Sequence, residues 1–355
     1  MQTAPPSRQR PRPEWRALRR TCLTLALALS ITAPDTPATA AVPLPQLWLS
    51  SVPVKGYMNL FATPAQWPVG LSKLRVLKLT TAFADSTGDN TLATIIEFTN
   101  QHKIALALEG EMQTPDPNGC GTGIESYYPR GKMKQLAARI KSLGGILSYI
   151  AMDEPLWYGH FATSTSRPGA RVCLATIDQV AANVAHAIAE VREIFPDVAV
   201  GDIEPVSSLY ADRASSSDRP IALQHWIDAF ARASGRPLAF VHFDIVWAHT
   251  TPGTFNASEN QYWSRQLALS VQLVRDNRIR VGIIYNGRAQ DTHNVSWTNH
   301  AIYRYQTIEE QLSIKPDDAI IQTWEPHPDQ IVPETTPGTL TNLLRSYIEW
   351  HSAAH

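Results

Sequence analysis

Eight short apolar, β-branched runs alternate with helix-period segments along residues 41–355, a pattern that restricts the chain to repeated β-α units. The runs are Leu47–Val52, Leu74–Thr80, Ile104–Gly110, Ile146–Met152, Val198–Ile203, Leu238–Ile245, Arg280–Asn286 and Ala319–Trp324. Between them, apolar residues recur at spacings of three and four: Leu92, Ile95 and Ile96; Met133, Leu136 and Ile140; Ile177, Val180, Val184 and Ile188; Leu267, Val271 and Val274; and finally Leu340, Leu343, Leu344 and Tyr347. The first connection, Ala62–Leu71, carries Pro64 and Pro68 and holds only a short helix, while Pro337 suits the first turn of the last one. Eight units closing on themselves give an α/β fold, a single (β/α)8 TIM barrel. An open doubly wound sheet is the alternative, but no Gly-x-Gly-x-x-Gly follows the first run and no Walker motif occurs anywhere, so its usual phosphate cradle is missing.

The N-terminus reads as a leader and not as part of the barrel. Arg8, Arg10, Arg12, Arg16, Arg19 and Arg20 precede an apolar stretch from Cys22 to Ala33, and Ala38-Thr39-Ala40 follows with the small residues of a cleavage site. Residues 1–40 are therefore expected to be a signal peptide and 41–355 one barrel domain, exported to the periplasm or the medium. No later segment offers the roughly 20 consecutive apolar residues of a membrane span. Removing the leader's six arginines, Glu14 and Asp35 from 31 basic and 32 acidic residues leaves 25 against 30. That balance carries no electrostatic footprint for nucleic acid or anionic lipid. Two cysteines remain after the leader, Cys120 and Cys173, in loop-like sequence after the third and fourth runs. An oxidising compartment favours a bridge between them.

Three runs end in Glu-Pro, at Glu154-Pro155, Glu204-Pro205 and Glu325-Pro326. Proline cannot donate to a sheet ladder and pushes its predecessor toward extended backbone, so each motif is expected to present its glutamate at a strand end. Barrels keep their chemistry at those ends. Asp153, Asp202 and Asp244 lie there as well, and Glu109 and Glu111 flank the end of the third run. Aromatic residues crowd the same region: Trp157, Tyr158, Trp247, Tyr285, Trp297 and Trp324. Rings beside convergent carboxylates suit a sugar, whose C–H faces stack while its hydroxyls bond to acids and amides.

Ile150-Ala151-Met152-Asp153-Glu154-Pro155 resembles the strand-four motif of the clan A glycoside hydrolases, retaining barrels in which Asn-Glu-Pro carries the general acid/base. The resemblance implies that role for Glu154. Two departures stand out: Asp153 replaces the asparagine that contacts the sugar 2-hydroxyl, and strand seven reads Gly282-Ile283-Ile284-Tyr285-Asn286, without the nucleophilic glutamate. A glycosidase still needs one protonated and one ionised carboxyl. Glu204 is the first expectation for the second group, with Glu325 and Asp244 behind it. Asp153, Asp202, Asp244, Trp157, Tyr158, Trp247, Tyr285, Asn286 and Trp324 are then expected to bind substrate, a polysaccharide or oligosaccharide, with no cofactor and no metal.

Two other classes compete. A metal-dependent sugar isomerase or lyase barrel also gathers acids and histidines at strand ends, and His242, His249, His293 and His327 fall near this face. No His-x-His or His-Glu-x-x-His spacing occurs, and no Gly-x-Ser-x-Gly elbow supports serine catalysis. A catalytically inactive glycan-binding barrel is the non-enzyme alternative, because a fold alone does not prove turnover.

Overall fold

The computed structural model describes residues 43–52, 54, 56–163, 168–206, 218–245 and 257–354. Residues 1–40, expected to be a leader, and Trp247 and His249 lie outside the described residues. Eight parallel strands close into a barrel: β1 (Gln46–Ser51), β2 (Leu74–Thr80), β3 (Ala105–Gly110), β4 (Leu147–Asp153), β5 (Ala199–Pro205), β6 (Phe240–Asp244), β7 (Arg280–Tyr285) and β8 (Asp318–Thr323). They pair in sequence order, and β8 returns to β1 through six matched residues from Gln46–Asp318 to Ser51–Thr323. Each strand lies within two residues, at either end, of its sequence-derived run.

The helices form the outer layer: α1 (Asn59–Ala62) and α2 (Pro68–Lys73) around the prolines of the first connection, then α3 (Thr81–Ser86), α4 (Asp89–His102), α5 (Lys132–Ser142), α6 (Ile177–Arg192), α7 (Asp218–Ser234), α8 (Ala257–Asp276), α9 (Asn294–Gln306) and α10 (Leu340–Ala354). Helices α7 and α9 go beyond the aliphatic pattern read from sequence. They pack through buried aromatics, Trp226 and Phe230 in α7 and Trp297 and Tyr305 in α9. Pro337 stands in the turn ahead of α10, not in its first turn. Among the described residues no helix is long and apolar enough to cross a membrane.

Two apolar zones hold the fold together. The larger lies between sheet and helices. The smaller fills the barrel itself with Trp48, Val76, Ala107, Ala151, Ile203, Phe240, Ile284 and Ile320. Small residues make room for large rings there: a Cβ on Gly201 would sit 2.2 Å from the Phe240 ring. Near the N-terminal end, buried Asp318 accepts from Trp48 Nε1 at 3.0 Å and from Arg280, and His242 Nε2 lies 3.4 Å away.

Strand side chains alternate between faces, so this interior set predicts what points inward farther along each strand. Stepping by two gives Ser50, Lys78, Glu109, Asp153, Asp244, Asn286 and Gln322 at the C-terminal mouth. The opposite parity gives Asp202, Glu204 and Tyr285, which face the helices.

Candidate active site

Glu154 sits at the first residue beyond β4, with a φ of +49°. This departs from the extended backbone expected before proline, and a non-glycine residue seldom holds such a conformation unless its surroundings impose it. Here they do so from both sides. The Glu154 amide donates to the Ile203 carbonyl at 3.1 Å, continuing the β4–β5 ladder by one bond. Its own carbonyl accepts from the Tyr158 amide at 2.9 Å, closing the first turn of a short helical segment that begins at Pro155. One left-handed residue thus converts strand into helix and leaves the buried Glu154 at the rim.

Glu204 secures that turn. Its two carboxylate oxygens accept from the backbone amides of Leu156 at 2.8 Å and Trp157 at 3.2 Å. Those are N-terminal amides with no partner inside their own helical turn, where an anion is favoured. The expectation that Glu204 reaches the barrel axis is therefore corrected by its register. It points behind the sheet and acts as a cap. Asp202 is corrected in the same way: its Oδ2 accepts from Trp226 Nε1 of α7 at 2.6 Å. Tyr285 also faces outward, its hydroxyl donating to buried Glu309 Oε1 at 2.6 Å beside Tyr347.

The mouth itself gathers a different set. Lys78 is wholly buried and ion-paired with Glu109, whose Oε2 also accepts from Gln322 Nε2 at 2.9 Å. Asp153 and Asp244 both feel the charges of this pair, and Glu154 in turn feels those of Asp244 and Asp153. Burial raises the Glu154 carboxyl well above the usual range, and the negative charges of Asp244, Asp153 and Glu125 push it further. Asp153 is likewise raised well above its ordinary value, by desolvation first, then by Glu109 and Glu125. Asp244 is raised to about 7 by desolvation and by Glu109, against the opposing pull of Lys78 and Arg304. Glu125 comes from the loop after β3, and Tyr158 donates to its Oε2 at 2.7 Å.

The remaining expected residues divide. Trp324 is 39 % exposed at the rim beyond β8, open to a ligand. Trp157 is buried and stacks on Phe161, with ring centroids 6.0 Å apart. Asn286 is buried, its Oδ1 taken by the Arg304 guanidinium. Glu325 accepts from Trp297 Nε1 at 2.6 Å, and desolvation raises its carboxyl. Arg304, buried among Asn286 and Gly287 carbonyls, has its own pKa lowered well below normal by desolvation. Of the histidines, His242 is deep in the barrel and His327 Nδ1 meets Asn294 Oδ1 at 2.7 Å. Among the described residues no three His, Cys, Asp or Glu side chains are grouped to hold a metal ion.

Cys120 and Cys173 are bridged, with Cα atoms 5.0 Å apart, tying the loop after β3 to the loop after β4. Gln113 adds a second tie, donating to Ser126 Oγ at 3.1 Å and to the Pro155 carbonyl at 3.2 Å. These links hold Glu125 and the Glu154 turn against one another. Sequence reasoning passed over Lys78, Glu125, Gln322 and Arg304. Lys78 carried a usable signal, since a lysine at an inward parity position of an otherwise apolar strand needs a buried partner.

No protein-family model matches the chain, and no curated protein matches it either. Solved structures share its architecture. The catalytic domain of β-amylase from Paenibacillus polymyxa aligns with a TM-score of 0.50 at 10% identity, over 87% of this chain and 98% of that one. Xylanase 10B from Thermotoga maritima aligns with a TM-score of 0.47 at 11% identity, over 87% and 96%. A 3-keto-D-glucoside 4-epimerase from E. coli gives 0.44 at 8%, over 87% and 99%. At such identities the likeness is one of fold alone. The class that fold and site define is a (β/α)8 barrel with a carboxylate-lined mouth.

Proposed function

We propose that the chain is an exported glycoside hydrolase acting on a polysaccharide or oligosaccharide, with Glu154 as general acid and Asp244 as the second carboxylate. One observation carries the reading: a buried glutamate, held at positive φ just beyond the end of β4, whose carboxyl is raised by burial and by the charges of the inward-facing Asp244 and Asp153. Two carboxyls so placed do not both ionise readily, which leaves one proton to give and one negative charge to use. Glu154 delivers its proton to the glycosidic oxygen as the bond to the anomeric carbon breaks. Asp244 takes a proton from the water that attacks that carbon from the opposite face. The products are a new reducing end and a released alcohol, with inverted configuration. Strand β7 offers no carboxylate of its own, which favours an activated water over a covalent intermediate. Trp324 supplies an exposed ring for a sugar face.

The test is a screen of the protein, without residues 1–40, against a polysaccharide panel, reading new reducing ends. Activity that Glu154→Gln and Asp244→Asn both abolish, with an inverted first anomer by NMR, is the expected result. Turnover surviving in Glu154→Gln removes the proposal.

A further inference from the structure

The chemistry of the mouth narrows what it accepts. Glu109, Glu125, Asp153, Glu154 and Asp244 converge there, while Lys78 and Arg304 are the cations that act on them. Lys78 is already committed to Glu109, and Arg304 to the carbonyls of Asn286 and Gly287. Among the described residues, the site therefore holds more carboxyls than uncommitted cations.

A second, separate feature points to a donor. Among the described residues, three buried polar atoms at the mouth end of the inward-facing set have no hydrogen-bond partner, Asp244 Oδ1, Gln322 Oε1 and Ser50 Oγ, while a fourth on that parity, His242 Nδ1, lies deeper in the barrel. Asp244, Gln322 and Ser50 are 7 %, 4 % and 1 % exposed. Gln322 stands beside Ser50 in the β1–β8 register, and Ser50 beside Lys78 in the β1–β2 register, so these atoms belong to the same floor as the Glu109 pair. Gln322 Oε1 can only accept, and so can Asp244 Oδ1 once its carboxyl is ionised. Buried acceptors without donors are costly unless a ligand satisfies them.

Resting on the hydrolase reading above, we infer that the sugar bound at this mouth carries a free, protonated amine: a hexosamine-containing glycan that is not fully N-acetylated. An ammonium group brings donors to acceptor-only atoms and charge to a carboxylate ring, so one group answers both deficits. A uronic acid brings like charge to the same place and is rejected. A neutral sugar donates through hydroxyls but leaves the charge uncompensated. With the ammonium bound, the part of the raise that neighbouring carboxylates add to burial is offset.

The experiment separates this inference from the hydrolase reading. Binding is measured by calorimetry with the Glu154→Gln variant at about pH 6, where amino-sugar ammonium groups are charged. The probes are (1→4)-linked glucosamine and galactosamine oligosaccharides, the same oligosaccharides after N-acetylation, and an oligogalacturonate. At least one amine form is expected to bind tighter than its N-acetylated counterpart by about tenfold or more, a gap that Asp244→Asn or added salt narrows. The oligogalacturonate is expected not to bind. Equal or tighter binding of the N-acetylated forms, or no binding of either amine form, overturns the inference. Reducing-end release by the wild-type protein is followed in parallel on the same probes. Cleavage without amine preference leaves the hydrolase standing and removes the amine. Amine-selective binding without any cleavage does the reverse.

Discussion

Asp153, Glu154 and Asp244 line the mouth of the barrel, whereas Asp202 and Glu204 lie one strand face away, between sheet and helices. All five have carboxyls raised above their usual values, and burial is the leading cause in each. What separates the two groups is the company they keep. Behind the sheet, Asp202 accepts from Trp226, and Glu204 accepts from two backbone amides. In the mouth, Asp153, Glu154 and Asp244 feel other carboxylates, and the cations that act on them, Lys78 and Arg304, are engaged with Glu109 and with the Asn286 and Gly287 carbonyls. A perturbed carboxyl therefore marks burial in both regions, and the partner inventory is what distinguishes a cap from a carboxyl available to the mouth.

The sharpest break between the regions comes from removing the proton itself. Glu154→Gln should lower kcat by about 10²–10⁴-fold, the usual contribution of a general acid, while the melting temperature stays level or rises. If activity persists and stability collapses instead, the mouth is structural and the comparison fails.

Next in size is the bridge that holds the mouth's loops together. Cys120→Ser with Cys173→Ser should cost about 2–4 kcal/mol in denaturant unfolding, because the unfolded chain regains the freedom of a 53-residue separation. Activity should fall with it, since Glu125 and the Glu154 turn are no longer tied.

A smaller effect is expected behind the sheet. Glu204→Gln leaves one backbone amide facing an NH2 group, at about 1–3 kcal/mol, while the pH profile of the residual activity keeps its shape. A shifted or missing acidic limb in that variant would show that Glu204 takes part in proton transfer after all.

The last effect is one of linkage. Asp244 has a folded value of about 7 against an ordinary 3.8, so the folded state holds the proton more tightly and stability declines as pH rises between those values. Asp244→Asn removes that decline. Its melting temperature should exceed the wild type's by about 5 °C at pH 8 and lose the advantage below about pH 4. Equal melting curves for the two proteins at pH 8 would mean that Asp244 is not desolvated.

Much of the architecture was legible from alternation alone. The eight runs matched eight strands because a parallel barrel strand, buried on both faces, reads as a continuous apolar stretch. Helices α7 and α9 escaped because they pack through Trp226, Phe230, Trp297 and Tyr305, not through an aliphatic stripe. In the site, the Glu-Pro motifs put Glu154, Glu204 and Glu325 at the C-terminal ends of β4, β5 and β8. They could not say which way each side chain pointed: Glu154 lies beyond its strand, whereas Glu204 lies inside β5, one residue before its end. Lys78 and Glu125 were out of reach for another reason, since their significance is a pairing with residues 31 or more positions away.

From local pattern, the chain's own sequence determined the strand count, the closure into a barrel and the rim on which acids collect, because periodicity and proline act over a few residues. Only the tertiary structure decided which carboxyls meet. A side chain on a strand has two faces to choose from, and a shift of one residue in register exchanges the mouth of the barrel for the layer behind it.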